Sequence, residues 1–286
     1  MWKKGLIFSS MALLLAACGA EGTDSADTAS STTGTDEVAE QEEIVIRVAS
    51  HLPPMTDVVE IADDVIAEPY SVELVEVSDN IQYNEALLNE EVDANFAQHE
   101  PFMQQFNEER DGNLVAIQTI YNPVVGFYSP VYDSIDEIEE GAEVALPSDG
   151  TNEARALLIL DSYELLTLDP EADPFQVTVD DIVDNPYNFT FTHIDLLNLT
   201  SAYEDNIPLV FNYPTYIDRI GLKTEDALFL ENDDTYMFAL QLIVREDNQD
   251  SPEIQALKEA FTSQEVYDFL DELSQIGHLE PAFEVQ

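Results

Sequence analysis

The chain has 286 residues, of which 60 are Asp or Glu and 9 are Lys or Arg, giving a net charge of −51. So few cations cannot neutralise a run of phosphates, which excludes nucleic-acid binding and electrostatic attraction to anionic lipid. A single cysteine, Cys18, excludes a disulfide and any multi-cysteine metal site.

The first four residues, Met1-Trp2-Lys3-Lys4, are followed by an apolar run over 6–17 interrupted only by Ser9 and Ser10. A positive start and a short apolar stretch make an export signal. The run is too short to span a bilayer, which takes about 20 apolar residues. It ends Leu15-Ala16-Ala17-Cys18-Gly19, which resembles the lipobox of bacterial lipoproteins. The resemblance implies cleavage before Cys18 and a diacylglycerol on its sulfur, and two acyl chains anchor stably where one binds marginally. The alternative is an ordinary signal peptide with an incidental cysteine. Cys18→Ala is expected to move the protein from the membrane fraction into the medium or periplasm; full retention in the membrane would rule the anchor out.

Loss of residues 1–17 removes Lys3 and Lys4 and no acid, leaving a mature charge of −53. Residues 19–43 are mostly Gly, Ala, Ser, Thr, Asp and Glu, the composition of a flexible linker. The acidic excess runs along the whole chain, as for a solvated surface suited to a salty exterior where screening relieves self-repulsion.

From residue 44 onward, short β-branched runs alternate with helical patterns. Strands are expected over 44–49, 72–77, 93–98 and 114–120, and helices over 58–67, 81–89 and 101–109. The pattern then restarts. Residues 126–129 are extended, 143–146 and 208–211 read as strands, and 152–163 as a helix. A long apolar strand over 236–244 precedes terminal helices over 252–262 and 264–275. Alternating strands and helices indicate parallel sheets. The restart favours two α/β units with a cleft between them.

Catalytic motifs are absent: there is no phosphate-binding Gly-rich loop, Gly-x-Ser-x-Gly or His-Glu-x-x-His. No enzymatic activity and no cofactor are expected. The four histidines, His51, His99, His193 and His278, are far apart in sequence; a metal held by His51, His99 and acids is kept as an alternative. The most informative stretch is 146–158, where a strand ends, Ser148, Asp149, Thr151 or Asn152 is available as a cap, and a helix begins with Arg155 near its start. Free N–H groups there attract anions, and a cation there opposes the helix dipole. Either a nearby acid offsets Arg155, or a ligand carboxylate takes its guanidinium in a bidentate contact.

Several segments carry a family resemblance. Residues 92–102, Val92-Asp93-Ala94-Asn95-Phe96-Ala97-Gln98-His99-Glu100-Pro101-Phe102, are similar to a characteristic segment of the methionine-binding (NlpA-type) lipoproteins of ABC importers. So are Asn152 with Arg155-Ala156-Leu157-Leu158, then 226–231, 243–247, 263–266 and Pro281-Ala282-Phe283, in the same order. The resemblance spans nearly all of 44–283.

It implies a two-lobed, type II periplasmic-binding-protein-like α/β fold with two crossing segments and the ligand in the interlobe cleft. Lobe 1 would comprise 44–124 plus 232–286 and lobe 2 would comprise 125–231, with crossings near 122–128 and 222–236. The implied ligand-binding residues are Arg155 for the carboxylate, with His99, Asn152, Phe96 and Asn212 around it; the asparagine position falls at Asn212 or Tyr213, depending on a one-residue gap. The implied partners are a small amino acid, an ABC permease with its ATPase, and a membrane reached through the lipid anchor, with the protein a monomer. Asn80, Ala97, Leu240, and Pro54 or Met55 depart from the family pattern, and these changes reshape the pocket around the ligand. A different solute, such as another carboxylate, a short peptide or a metal ion, is the first alternative, and an adhesive surface lipoprotein the second.

Overall fold

The structure is a computed structural model and describes residues 42–232 and 235–285. The expected export signal, Cys18 and nearly all of the expected linker lie outside the described residues. The first part of the chain forms β1 (Ile44–Ser50), α1 (Met55–Val65), β2 (Tyr70–Glu76), α2 (Gln82–Leu88), β3 (Ala94–His99), α3 (Glu100–Arg110) and β4 (Leu114–Pro123). The middle forms β5 (Gly126–Tyr128), β6 (Glu143–Pro147), α4 (Gly150–Ser162), β7 (Thr167–Leu168), β8 (Ile182–Asp184), β9 (Thr190–Ile194), α5 (Leu199–Glu204), β10 (Leu209–Asn212), α6 (Pro214–Ile217) and β11 (Phe229–Leu230). The last part forms β12 (Leu240–Arg245), α7 (Pro252–Phe261), α8 (Gln264–Gln275) and β13 (Leu279–Pro281).

These strands make two main sheets, ordered β13-β4-β12-β3-β1-β2 and β11-β5-β10-β6-β9. The expectation of parallel sheets holds for β1 with β2 and β3, and for β6 with β9 and β10. It fails elsewhere. β12 returns from the second sheet and inserts antiparallel between β3 and β4, and β5 and β11 are also antiparallel. The direction of a strand that returns from the other lobe is set by tertiary connection, which local periodicity cannot reveal.

Strand alternation places a core on each face of the first sheet. Ile46 and Val48 of β1 pack with α1, α7 and α8, whereas Ala49 packs with α2 and α3. A third core fills the second lobe around Val144, Leu157 and Phe211. Local chemistry sets the helix starts. Ser251 and Ser263 cap α7 and α8 by accepting from the N–H of Ile254 and Val266. The second lobe also contains β7, β8, β9 and α5, which have weak patterns and were not expected from the sequence.

The chain leaves the first sheet at Pro123, enters the second at Gly126, and returns between Leu230 and Leu240. The two passages lie side by side, with Gly126 opposite Leu230 and Phe127 opposite Phe229. A Cβ on Gly126 would stand 2.5 Å from the Phe229 carbonyl oxygen, so no side chain fits between the strands. Gly126→Ala is expected to cost about 1–3 kcal/mol of stability by overpacking, read from urea unfolding; an unchanged midpoint would contradict this close approach.

Candidate functional site

A cavity lies between the two sheets, with about 420 Å³ of non-atom space counting the part open to solvent. The first lobe contributes Met55, Asn80, Tyr83, Ala97, Gln98, His99 and Phe102, and the second contributes Asn152, Leu196, Tyr213, Thr215 and Tyr216. Pro123 and Leu240 stand where the chain passes between the lobes.

His99 ends β3 and caps α3. Its Nδ1 accepts from the Phe102 N–H at 3.2 Å, so Nε2 carries the proton and donates to Asn152 Oδ1 at 3.3 Å. Burial, with a smaller push from the positive Arg155, lowers its pKa to about 3. His99 is therefore a neutral, oriented imidazole at physiological pH.

Asn152 sits at the start of α4, behind its cap Asp149. The Asp149 carboxylate accepts from the Asn152 backbone N–H at 3.0 Å and from its Nδ2 at 2.8 Å. Asn152 Oδ1 also accepts from the Tyr213 hydroxyl at 3.0 Å. Burial pushes the Asp149 carboxyl up, opposed by these hydrogen bonds. One turn further along the helix, Arg155 is buried at 1% exposure. Its Nε donates to Glu231 Oε1 at 2.8 Å and its Nη2 donates to Glu231 Oε2. Nη2 also donates to the Pro123 carbonyl at 3.1 Å, and Nη1 to the Tyr213 hydroxyl at 3.4 Å. The guanidinium lies 4.7 Å from the Phe238 ring centroid. Burial alone would lower its pKa, but the Glu231 carboxylate more than offsets this and raises it.

The cation at the start of α4 is thus offset by an acid of the same chain, 76 residues away. Arg155 stands behind the wall of the cavity, in contact with both passages between lobes through Pro123 and Glu231. His99 and Asn152 are brought together in the wall.

Phe96 is not. It points from β3 into the core of the first lobe, edge-on to Tyr121 and Phe261 with ring centroids 5.9 and 5.3 Å away. Strand alternation turns its neighbour Ala97 to the opposite face, where it lines the cavity. Asn212 is buried outside the wall, where it donates to Thr200 Oγ1 at 3.1 Å and accepts from the Tyr213 N–H at 2.9 Å. Tyr213, the next residue, lines the cavity instead.

Sequence reasoning missed Glu231, Tyr216 and Phe238 as members of this layer, and named Tyr213 only as the alternative to Asn212. Glu231 belongs to a segment that carries the family resemblance, but one carboxylate among 60 acids gives no signal of its own. Asn84 and Asn95, behind the wall, and Gln98, which lines it, satisfy one another through side-chain amide hydrogen bonds. His51 stacks on Tyr83 with centroids 5.6 Å apart and lies 3.4 Å from the Tyr216 hydroxyl. Burial lowers its pKa to about 4. Among the described residues, no three His, Cys, Asp or Glu side chains converge to hold a metal. Asn80 and Phe102 also border an outer cleft that is lined by Asp79, Glu109, Asp149 and Asp195 and by one cation, Arg110.

Two sheets joined by two passages, with a polar-aromatic cavity between them, define a two-lobed periplasmic-binding-protein-like fold. The NlpA lipoprotein family matches residues 46–283, and the chain belongs to that family. It is 35% identical over 216 residues to the D-methionine-binding lipoprotein MetQ of Escherichia coli K12, covering 74% of this chain and 79% of that one. Among solved structures it resembles a YaeC-family lipoprotein from Enterococcus faecalis V583, at 45% identity and a TM-score of 0.73, covering 84% of this chain and 99% of that one. It also resembles a nutrient-binding protein from Burkholderia cenocepacia bound to methionine, at 28% identity and a TM-score of 0.78, covering 83% and 100%.

Proposed function

We propose that this chain is the solute-capturing lipoprotein of an ABC importer and that its cargo is methionine or a related small amino acid. The observation that carries the reading is the interlobe cavity, which is walled by His99, Asn152 and Tyr213 and backed by Arg155 at the start of α4. A cavity between two lobes that is largely apolar with a few convergent polar groups has the chemistry of a small-ligand site. The lobes would comprise 44–124 with 232–286, and 125–231. They would close on the ligand and present it to a permease and its ATPase. Lipid on Cys18 and the stretch to residue 43 would keep a monomer of this net charge near that permease. Capture and delivery need no chemistry.

Three positions bear on the cargo. Ala97 leaves room beside Phe102, Leu240 presents an apolar group, and Asn80 accepts from the Tyr83 hydroxyl at 3.1 Å. Ala97 and Leu240 give the cavity an apolar part that suits an apolar side chain of the ligand. Calorimetry of the purified protein with L-methionine, D-methionine and a panel of amino acids tests the reading. Saturable binding of one of them is expected. If no amino acid binds, the reading fails; if another amino acid binds more tightly than methionine, the cargo is revised and the class stands.

A further inference from the structure

We propose that a shared proton latches the two lobes across the outer cleft: in its protonated form the Asp149 carboxyl donates from Oδ2 to Gln105 Oε1, so closure takes up a proton and acid favours it. The inference rests on the reading of the chain as a binder whose lobes close on a small ligand. It concerns how closure is regulated and not what is bound.

Four buried side-chain polar atoms among the described residues lack a hydrogen-bond partner. Two of them, Asp149 Oδ2 and Gln105 Oε1, belong to residues that line the same outer cleft. The residues come from opposite lobes: Asp149 caps α4 in the second and Gln105 lies on α3 in the first. The lobes meet closely here. A Cβ on Gly150, the residue after Asp149, would stand 3.2 Å from Gln105 Nε2 and 3.6 Å from its Oε1. The hydrogen bonds of Asp149 fall on Oδ1, which accepts from the Asn152 N–H, from Asn152 Nδ2 and from the Thr151 hydroxyl. Gln105 Nε2 donates to Glu109 Oε1 at 3.0 Å, which leaves the amide oxygen as the free end. Two bare acceptors in one cleft are costly as they stand, and one proton between them satisfies both.

The surroundings favour that proton. Burial pushes the Asp149 carboxyl upward from its ordinary 3.8, against the hydrogen bonds on Oδ1. Asp79, Glu109 and Asp195 add negative charge to the cleft, and the one cation there, Arg110, pairs with Glu85 at 2.9 Å. Tyr83 of α2 and Tyr213 before α6 face Asp149 as neutral hydroxyls, pushed up by burial. On α4 itself Glu153 pairs with His193, and Arg155 with Glu231. With the lobes apart, Oδ2 meets water and the carboxyl ionises near its ordinary value. Closure removes that water and raises the value, and the proton comes from solvent with no other bond changed. The latch is therefore fully present below the open-state value and is lost as the pH rises through the closed-state one.

The test is calorimetry of L-methionine binding between about pH 5 and about pH 8, for the wild type, Q105M and D149N. Methionine keeps its zwitterionic charge over this range, and His99 and His51, with pKa values of about 3 and about 4, stay neutral. Wild-type affinity is expected to rise about tenfold toward the acid end, the worth of one buried hydrogen bond. The heat of binding is expected to vary with the ionisation heat of the buffer, which marks proton uptake. Q105M keeps the bulk and removes the acceptor, and D149N carries a permanent donor in place of the proton. Both are expected to lose the pH dependence and the buffer dependence. A structural role alone would shift affinity equally at every pH, so a Q105M that keeps the wild-type slope overturns the proposal, whether or not D149N folds. Affinity that falls in acid also overturns it, because Gln105 Nε2 would then lie on an ionised Asp149. If another amino acid of neutral side chain proves the better ligand, it takes the place of methionine. A wild type that binds no amino acid overturns the proposed function, and this inference with it; binding with no dependence on pH overturns this inference alone.

Discussion

Arg155→Ala is expected to lower the free energy of unfolding by about 3–5 kcal/mol, because it leaves the Glu231 carboxylate beside a cavity in the core with no counter-charge. The Glu231 side chain is 11% exposed and the Arg155 side chain 1%. The carboxylate therefore cannot turn fully to water, and the Pro123 carbonyl loses its donor as well. Removing both partners together is expected to behave differently. The double variant R155L/E231L deletes the ion pair along with its desolvation cost and should recover most of the loss. Urea unfolding of the two single variants and the double variant gives the coupling between them. Additive losses would show that the two side chains stabilise the fold independently, contrary to the bidentate geometry.

Acid is expected to weaken the fold through His99 and His51. In the native protein burial holds them neutral, with pKa values of about 3 and about 4. An unfolded histidine takes up its proton near pH 6.5. The folded pKa lies below the unfolded one, so the stability each residue contributes is fully present above pH 6.5. It is lost as the pH falls toward the folded value. At pH 4 the loss from His99 alone is about 3 kcal/mol. The acidic surface titrates in the same range and changes the self-repulsion of the chain, so the useful quantity is a difference. His99→Gln is less stable than the wild type at pH 7, because it loses the cap of α3 and the contact to Asn152. Between pH 7 and pH 4 its deficit is expected to shrink by about 3 kcal/mol. Parallel stability curves for the two proteins would show that His99 already titrates normally in the fold.

Hydrophobic periodicity made the first sheet and its helices readable, because β1, β2 and β3 are consecutive or nearly so and each alternates with a helix. It did not reveal β12. The apolar run over 236–244 looks like one strand, yet the strand begins only at Leu240. Tyr236 has a φ of 59°, and the Ala239 N–H turns back to its carbonyl at 3.1 Å. That turn lays Phe238 against Arg155 and His99, a tertiary contact that overrides the local pattern. At the site, Arg155 stood out because a cation at a helix start needs an explanation. Its partner could not be found the same way. A carboxylate is informative only where acids are scarce, and here every segment has several. Phe96 was a reasonable aromatic beside His99, but the choice of face in β3 depends on register, and a shift of one residue exchanges core for cavity.

The side-by-side passages between the lobes have a mechanical consequence. Two independent tethers would let one lobe twist, shear or swing against the other. Here the tethers are laced together: Gly126 admits the Phe229 carbonyl at close range, Phe127 stacks on Phe229 with centroids 5.2 Å apart, and the Arg155 side chain bridges Pro123 and Glu231. Twisting would have to break these contacts, while flexing across the flat of the ribbon preserves them. The connection is expected to act like a leaf spring, compliant along one axis and stiff along the others, so that any opening of the lobes follows that axis.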